Sequence, residues 1–194
     1  LLITDMKNTA GICLLAATMI AQSCGFGSRE MASDALGVKV SPEENREYSY
    51  TDKKAGYWYG TTHQEKTEWW SGWNMAKKRI LADYAIGVDD PAIGTDLTLN
   101  RKDALECVVY PDRIVRGWGH TQETFQMLDN TPILSIDLVS IADSLFIVPD
   151  LSHISEVKDS EHGMFLTPTE APDMNILIAP ARKTGFVRFG DGIK

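Results

Sequence analysis

Four of the five tryptophans of this chain fall in one stretch, residues 56–74, which reads Gly-Tyr-Trp-Tyr-Gly-Thr-Thr-His-Gln-Glu-Lys-Thr-Glu-Trp-Trp-Ser-Gly-Trp-Asn. Flat aromatic rings stack on the axial C–H faces of sugars, and sugar hydroxyls need fixed donors and acceptors such as His, Gln, Glu, Asn and Thr. Trp58, His63, Glu65, Glu68, Trp69, Trp70 and Trp73 are therefore the candidate contacts for an oligosaccharide or polysaccharide. Core or interface packing of Trp58, Trp69 and Trp73 is an equally open reading of the same rings. If the stretch is a strand, adjacent Trp69 and Trp70 point to opposite faces, so at least one meets solvent or a partner surface.

Catalytic chemistry finds less support. Ordinary glycoside hydrolysis needs two carboxyl groups about 5 Å or about 6.5–9.5 Å apart. Glu65 and Glu68 are a possible pair by chain distance alone, and nothing around them argues for a raised pKa, so no catalytic residue is assigned. His63 with Glu65 and Glu68 lacks the paired-His spacing of helical zinc motifs, and His120, His153 and His162 have no companion pattern, so neither a metal nor another cofactor is expected. Cys107 lies in an apolar run and reads as a buried thiol. Ser71 lacks the Gly-x-Ser-x-Gly elbow, and residues 185–192 lack the Lys-Ser/Thr of a phosphate loop.

The chain around this stretch has 194 residues, 43% hydrophobic and 24% charged, the profile of an ordinary globular domain. Its 27 acidic and 19 basic side chains give a formal charge of −8. That surface repels a phosphate backbone, which argues against nucleic acid as a partner. Three cysteines, two of them early in the chain, cannot make a disulfide framework.

Residues 1–23 read as a signal peptide starting at Met6, with Lys7 flanking an apolar run over 10–21. Twelve residues rise about 18 Å as a helix, short of a hydrocarbon core of about 30 Å. The run ends in Ala21-Gln22-Ser23-Cys24-Gly25, which resembles a bacterial lipobox and makes Cys24 the lipidated residue. The competing reading leaves Cys24 as a bystander near an ordinary cleavage site. The lipobox reading places the protein outside the cytoplasm, as a periplasmic or outer-membrane lipoprotein that meets the membrane through its lipid anchor only. Residues 24–47 then read as the lipidated cysteine and a flexible tether.

The body, 48–194, reads as strands. Runs rich in β-formers recur between turn signals: Ala104–Tyr110, Arg113–Trp118, Glu123–Leu128, Ile133–Val139, Ser144–Val148, Met174–Ala179 and Phe186–Phe189. Leu134, Ile136 and Leu138 alternate with their neighbours, as do Phe125 and Met127. Pro111-Asp112 predicts a hairpin over Leu105–Trp118, and Asp129-Asn130-Thr131-Pro132 punctuates the next pair. Arg79–Val88 is read as one strand, with a helix over Asn74–Tyr84 as the alternative, and the acidic run Asp150–Glu161 as a solvated loop. Strands without intervening helices predict an all-β fold, an antiparallel β-sandwich.

The succession 57–74, followed by Lys78-Arg79-Ile80-Leu81-Ala82-Asp83-Tyr84, Val109-Tyr110-Pro111-Asp112-Arg113-Ile114-Val115-Arg116 and Glu123-Thr124-Phe125, resembles the N-terminal region of bacterial glycogen-debranching-like glycoside hydrolases. The resemblance covers about residues 48–190 and is one of order and texture. It implies a supersandwich-like β domain that packs on a following (α/α)6 barrel, and the barrel carries the catalytic acids. No helical repeats follow within this chain, so the barrel is expected to be missing from it. The function implied is a non-catalytic module of an exported glycoside hydrolase that contacts carbohydrate or supports the barrel. The alternative is a cell-envelope lipoprotein module that binds a protein partner. A small enzyme using Glu65 or Glu68 has least support.

Overall fold

In the segment Thr121–Met127 every second side chain is buried: Thr121, Glu123, Phe125 and Met127. That is the period of a strand with one dry face, and it repeats through the chain. The computed structural model describes residues 2–5, 13–17, 36–64, 68–142, 144–161 and 163–180. Cys24, Glu65, His162 and the expected strand Phe186–Phe189 lie outside the described residues.

The strands in chain order are β1 (Leu2–Asp5), β2 (Cys13–Ala17), β3 (Val38–Lys39), β4 (Glu47–Thr51), β5 (Gly56–Thr61), β6 (Gly72–Met75), β7 (Lys78–Leu81), β8 (Tyr84–Asp90) and β9 (Gly94–Leu99). After a single turn of 3-10 helix, Arg101–Asp103, follow β10 (Glu106–Val109), β11 (Arg113–Gly117), β12 (Thr121–Met127), β13 (Leu134–Ser140), β14 (Ser144–Pro149), β15 (Ile154–Ser160), β16 (Gly163–Pro168) and β17 (Met174–Pro180). Among the described residues they form three sheets: a ten-stranded one in the order β15-β16-β17-β1-β2-β13-β12-β11-β10-β3, a four-stranded one, β4-β5-β6-β7, and a three-stranded one, β14-β8-β9. Pairing is antiparallel except where β2 meets β13 and β17. The fold is all-β.

Phe125 sits where the sheets meet. Its ring lies 4.9 Å from Trp58 of β5, stacks on Tyr84 of β8 at 5.9 Å and contacts Tyr48 and Tyr50 of β4. Ile114, Leu134 and Ile136 from β11 and β13 share this core and are 0% exposed. The two predicted hairpins form, with Val109 opposite Ile114 and Met127 opposite Leu134.

Three expectations need correction. Arg79–Val88 is two strands in different sheets, β7 and β8, broken at Ala82-Asp83. Asp83 turns its carboxylate onto the Tyr84 N–H and the Arg101 guanidinium, so the chain changes direction there. The helix alternative also fails, because Ala76 and Lys77 adopt left-handed φ of 48° and 66° in the tight β6–β7 turn. Ile154–Ser160, expected as part of a loop, is edge strand β15. Its central side chains are exposed on both faces, so it carries no apolar alternation to read. The tether is shorter than expected: Val38 and Lys39 pair with β10, and Val40 is buried and donates its N–H to the Cys107 carbonyl at 2.9 Å.

Phe125→Ala removes the ring shared by the sheets, and large-to-small aromatic changes in cores cost about 3–5 kcal/mol. Urea unfolding followed by Trp fluorescence is expected to show a loss of that size.

Candidate functional site

A charged pair lies inside the core. Arg116 on β11 and Glu123 on β12 are cross-strand neighbours whose side chains point inward, with 0% and 1% of their surface exposed. Arg116 donates to Glu123 Oε2 at 2.7 Å, to the Tyr48 hydroxyl at 2.9 Å and to the carbonyls of Thr61 and Thr62 at 3.1 and 3.0 Å. The Tyr84 hydroxyl donates to the other oxygen, Glu123 Oε1. Burial and the Glu123 charge raise the Tyr84 phenol well above its ordinary range. Burial works against the Arg116 charge, but Tyr48 and Glu123 outweigh it and hold the guanidinium protonated. The hub is closed, so it works as scaffold, and it draws the end of β5 and the His63 segment onto the ten-stranded sheet.

That scaffold decides where the sugar-contact candidates go. Trp58 and Trp73 are 2% and 0% exposed and fill the core. His63 is buried as well, its Nδ1 2.8 Å from the Glu44 carbonyl while Asn45 Oδ1 accepts its backbone N–H. Burial takes these three side chains out of reach of a surface ligand. Glu68, Trp69 and Trp70 form an exposed turn that precedes β6.

Trp69 is 71% and Trp70 38% exposed, and their rings meet edge to face with centroids 5.3 Å apart. The premise of a strand with rings on opposite faces gives way to a turn with both rings on the surface. Its backbone is tied from several sides. The Glu68 carbonyl accepts from Ser71 N at 2.9 Å and from Arg79 Nη2, while the Trp70 carbonyl accepts from Asn74 Nδ2 at 2.8 Å. Gly72 closes the turn at φ 82°, where a Cβ would overlap the carbonyl oxygens of Leu81 and Ala82.

Behind the turn lies a second polar cluster. Arg79 on β7 is 6% exposed, and its backbone N–H bonds Glu170 Oε2 at 3.0 Å. Its Nη1 is 3.0 Å from His153 Nε2, and its Nε, though buried, has no hydrogen-bond partner among the described residues. Sequence reading missed Arg79, Glu170 and His153 as site neighbours because they lie up to 91 positions apart and meet only through sheet packing. Among the described residues no three His, Cys, Asp or Glu side chains converge as metal ligands.

No protein-family model, curated protein or solved structure matches this chain. A second surface feature lies at the far end of β10–β13, where a groove of about 380 Å³ is lined by Leu105, Val139 and Ile141 together with Glu106, His120 and Gln122. The three apolar side chains are 66%, 61% and 81% exposed.

Burial holds the Cys107 thiol up at about 11 and raises Tyr50 and Tyr84 above the ordinary phenol range. The folded chain keeps these protons to higher pH than the unfolded chain, so the stability they contribute is present below their ordinary values and lost as pH rises above them. The urea midpoint is expected to fall as pH climbs through about 9 to about 11, the window between the ordinary and native values of Cys107 and the onset of phenol ionisation. A midpoint that rises across that window contradicts the assignment.

Proposed function

We propose that this chain is the non-catalytic, carbohydrate-contacting β-sandwich module of an exported, glycogen-debranching-like glycoside hydrolase, and that the Trp69–Trp70 turn is its contact surface. One observation carries the reading: two large indoles stand in solvent on a turn whose carbonyls are fixed by Arg79 and Asn74. Exposed aromatic surface on a tied backbone loses little conformational entropy on binding, which is what a flat sugar face needs. Glu68 adds a carboxylate beside the rings, 3.4 Å from Ser71 Oγ. The supported catalytic barrel belongs to this reading as the partner domain.

Export and anchoring form the other half of the proposal. They rest on the apolar run over 10–21, the preceding Lys7 and the Ser23-Cys24 junction; processing before Cys24 would remove β1 and β2, so the ten-stranded sheet described above is that of the unprocessed chain. No helix among the described residues is long and apolar enough to cross a membrane.

A second reading, a cell-envelope module that binds a protein partner, is favoured by the exposed Leu105, Val139 and Ile141 around their groove. Contiguous apolar surface of this kind is typical of protein interfaces.

Affinity electrophoresis through α-glucan separates the readings. Trp69→Ala and Trp70→Ala are each expected to cost about 1–2 kcal/mol of binding, about fivefold to thirtyfold in Kd, with unchanged urea midpoints. Unretarded migration of the wild-type chain on α-glucan and on other polysaccharides sinks the carbohydrate reading. For the anchor, metabolic labelling with a fatty acid in a bacterial host is expected to mark the wild-type chain and to be abolished by Cys24→Ala; label that survives the substitution sinks it.

A further inference from the structure

The groove at the end of β10–β13 originates in one cross-strand row. Glu106, Gly117, Gln122 and Val139 stand opposite one another on four neighbouring strands. The adjoining row, Cys107, Arg116, Glu123 and Leu138, is buried, so the first row leaves the sheet on its outer face. Gly117 is the gap in that row, because it puts no side chain between Glu106 and Gln122. Gly119 extends the floor, and Leu105 lies over it, with Cδ1 3.5 Å from the place a Cβ would occupy. The result is a groove floored by backbone, about 380 Å³ in volume, with Leu105, Val139 and Ile141 as its apolar walls.

The polar part of the lining offers acceptors. Ser140 Oγ gives its single proton to the His120 carbonyl at 3.0 Å, so in the 2.7 Å contact between Thr121 and Ser140 the threonine donates. With its own proton so engaged, Thr121 Oγ1 accepts at 2.8 Å from His120, whose ring proton therefore sits on Nδ1. The neutral ring keeps Nε2 as an acceptor, and the hydroxyl chain holds the ring in one orientation. Glu106 is the one carboxylate in the lining, no Lys or Arg accompanies it there, and it enters no ion pair among the described residues.

A carboxylate and an imidazole nitrogen beside three aliphatic side chains complement one chemistry, a cation next to an aliphatic group. The formal charge of −8 favours the approach of such a partner. Walls that are 61–81% exposed form an open groove, which would cover too little of a small amine to hold it, whereas a chain segment can close over the walls.

We propose that this groove binds an extended segment of a partner protein carrying an aliphatic residue and a lysine or arginine two positions apart. That spacing puts both side chains on one side of the segment. The aliphatic group covers the Leu105, Val139 and Ile141 walls, and the cation donates to Glu106 and His120. The inference rests on the protein-partner reading of this groove and makes no use of the Trp69–Trp70 turn.

Three acetylated and amidated peptides are the probes: Ser-Leu-Ser-Lys-Ser-Leu-Ser and its counterparts with Gln or Glu in place of Lys. Each is titrated at low ionic strength into the ¹⁵N-labelled chain, and the backbone amide signals of Gly117, Gly119 and Gln122 are followed by NMR. The Lys peptide is expected to shift these signals, and the Gln peptide to bind about two- to fivefold more weakly, the range of an exposed ion pair. Glu106→Gln is expected to erase that difference. Gly117→Val fills the floor, and its Cβ meets nothing closer than 3.7 Å, so the shifts are expected to vanish with the urea midpoint unchanged. Equal binding of all three peptides in the groove, or a lysine preference that survives Glu106→Gln, overturns the proposed chemistry and leaves the protein-partner reading standing. Absence of groove shifts with every peptide, or shifts that persist in Gly117→Val, overturns both.

Discussion

A buried ion pair, Arg116 with Glu123, is the constraint on which the three sheets depend. Taking each ion out of water costs several kcal/mol, and mutual attraction offsets this only when the remaining donors and lone pairs are also satisfied. Here they are satisfied by other sheets. Tyr48 and the Thr61 and Thr62 carbonyls come from the four-stranded sheet and its following turn, and Tyr84 from the three-stranded one. An alternative docking of the sheets would strand a charge in apolar surroundings. The pair thus acts as a key for one arrangement, while Phe125 and its ring neighbours supply the apolar burial that makes the arrangement favourable.

From this key the surface follows. Because Arg116 grips the carbonyls of Thr61 and Thr62, the chain after β5 is pulled inward and His63 is buried against Glu44 and Asn45. It returns at Glu68 and must turn sharply to enter β6 at Gly72, whose left-handed φ admits no side chain. Two tryptophans sit on that turn with nowhere to go but outward. Trp58 and Trp73, facing each other across the β5–β6 ladder, take the core positions instead.

Arg79 repeats the theme at the edge of the molecule. It is also a buried guanidinium, but its partners are a carbonyl and an imidazole rather than a carboxylate. The contrast between the two arginines is one of partner chemistry: the Arg116 guanidinium meets a carboxylate of opposite charge, whereas the Arg79 guanidinium meets a main-chain carbonyl and an imidazole.

Much of the sheet framework was legible in the chain itself. Period-two alternation located β12 and β13, because one wet and one dry face write themselves into every second residue, while β-rich runs between turn signals located β11 and β17 and Pro111-Asp112 and Asp129–Pro132 marked the hairpins. Glu123 lies in phase with Phe125 and Met127, and Arg116 with Ile114, a signal that points both charges inward but that sequence reading passed over. Strand β15 left no such mark, being exposed on both faces. The split of 79–88 into strands of two sheets depends on Asp83 meeting Arg101, a contact between distant positions. Clustering of aromatic residues pointed to 56–74 as the segment of interest, but composition is the same for a buried ring and an exposed one. Which tryptophans face solvent was decided by tertiary structure, because the partners that bury Trp58, Tyr84 and Phe125 among them, come from other strands far along the chain. Local sequence determined the strands and their dry faces, since side-chain direction is a property of the extended backbone; the docking of sheets decided the site, since burial is a property of the assembled whole.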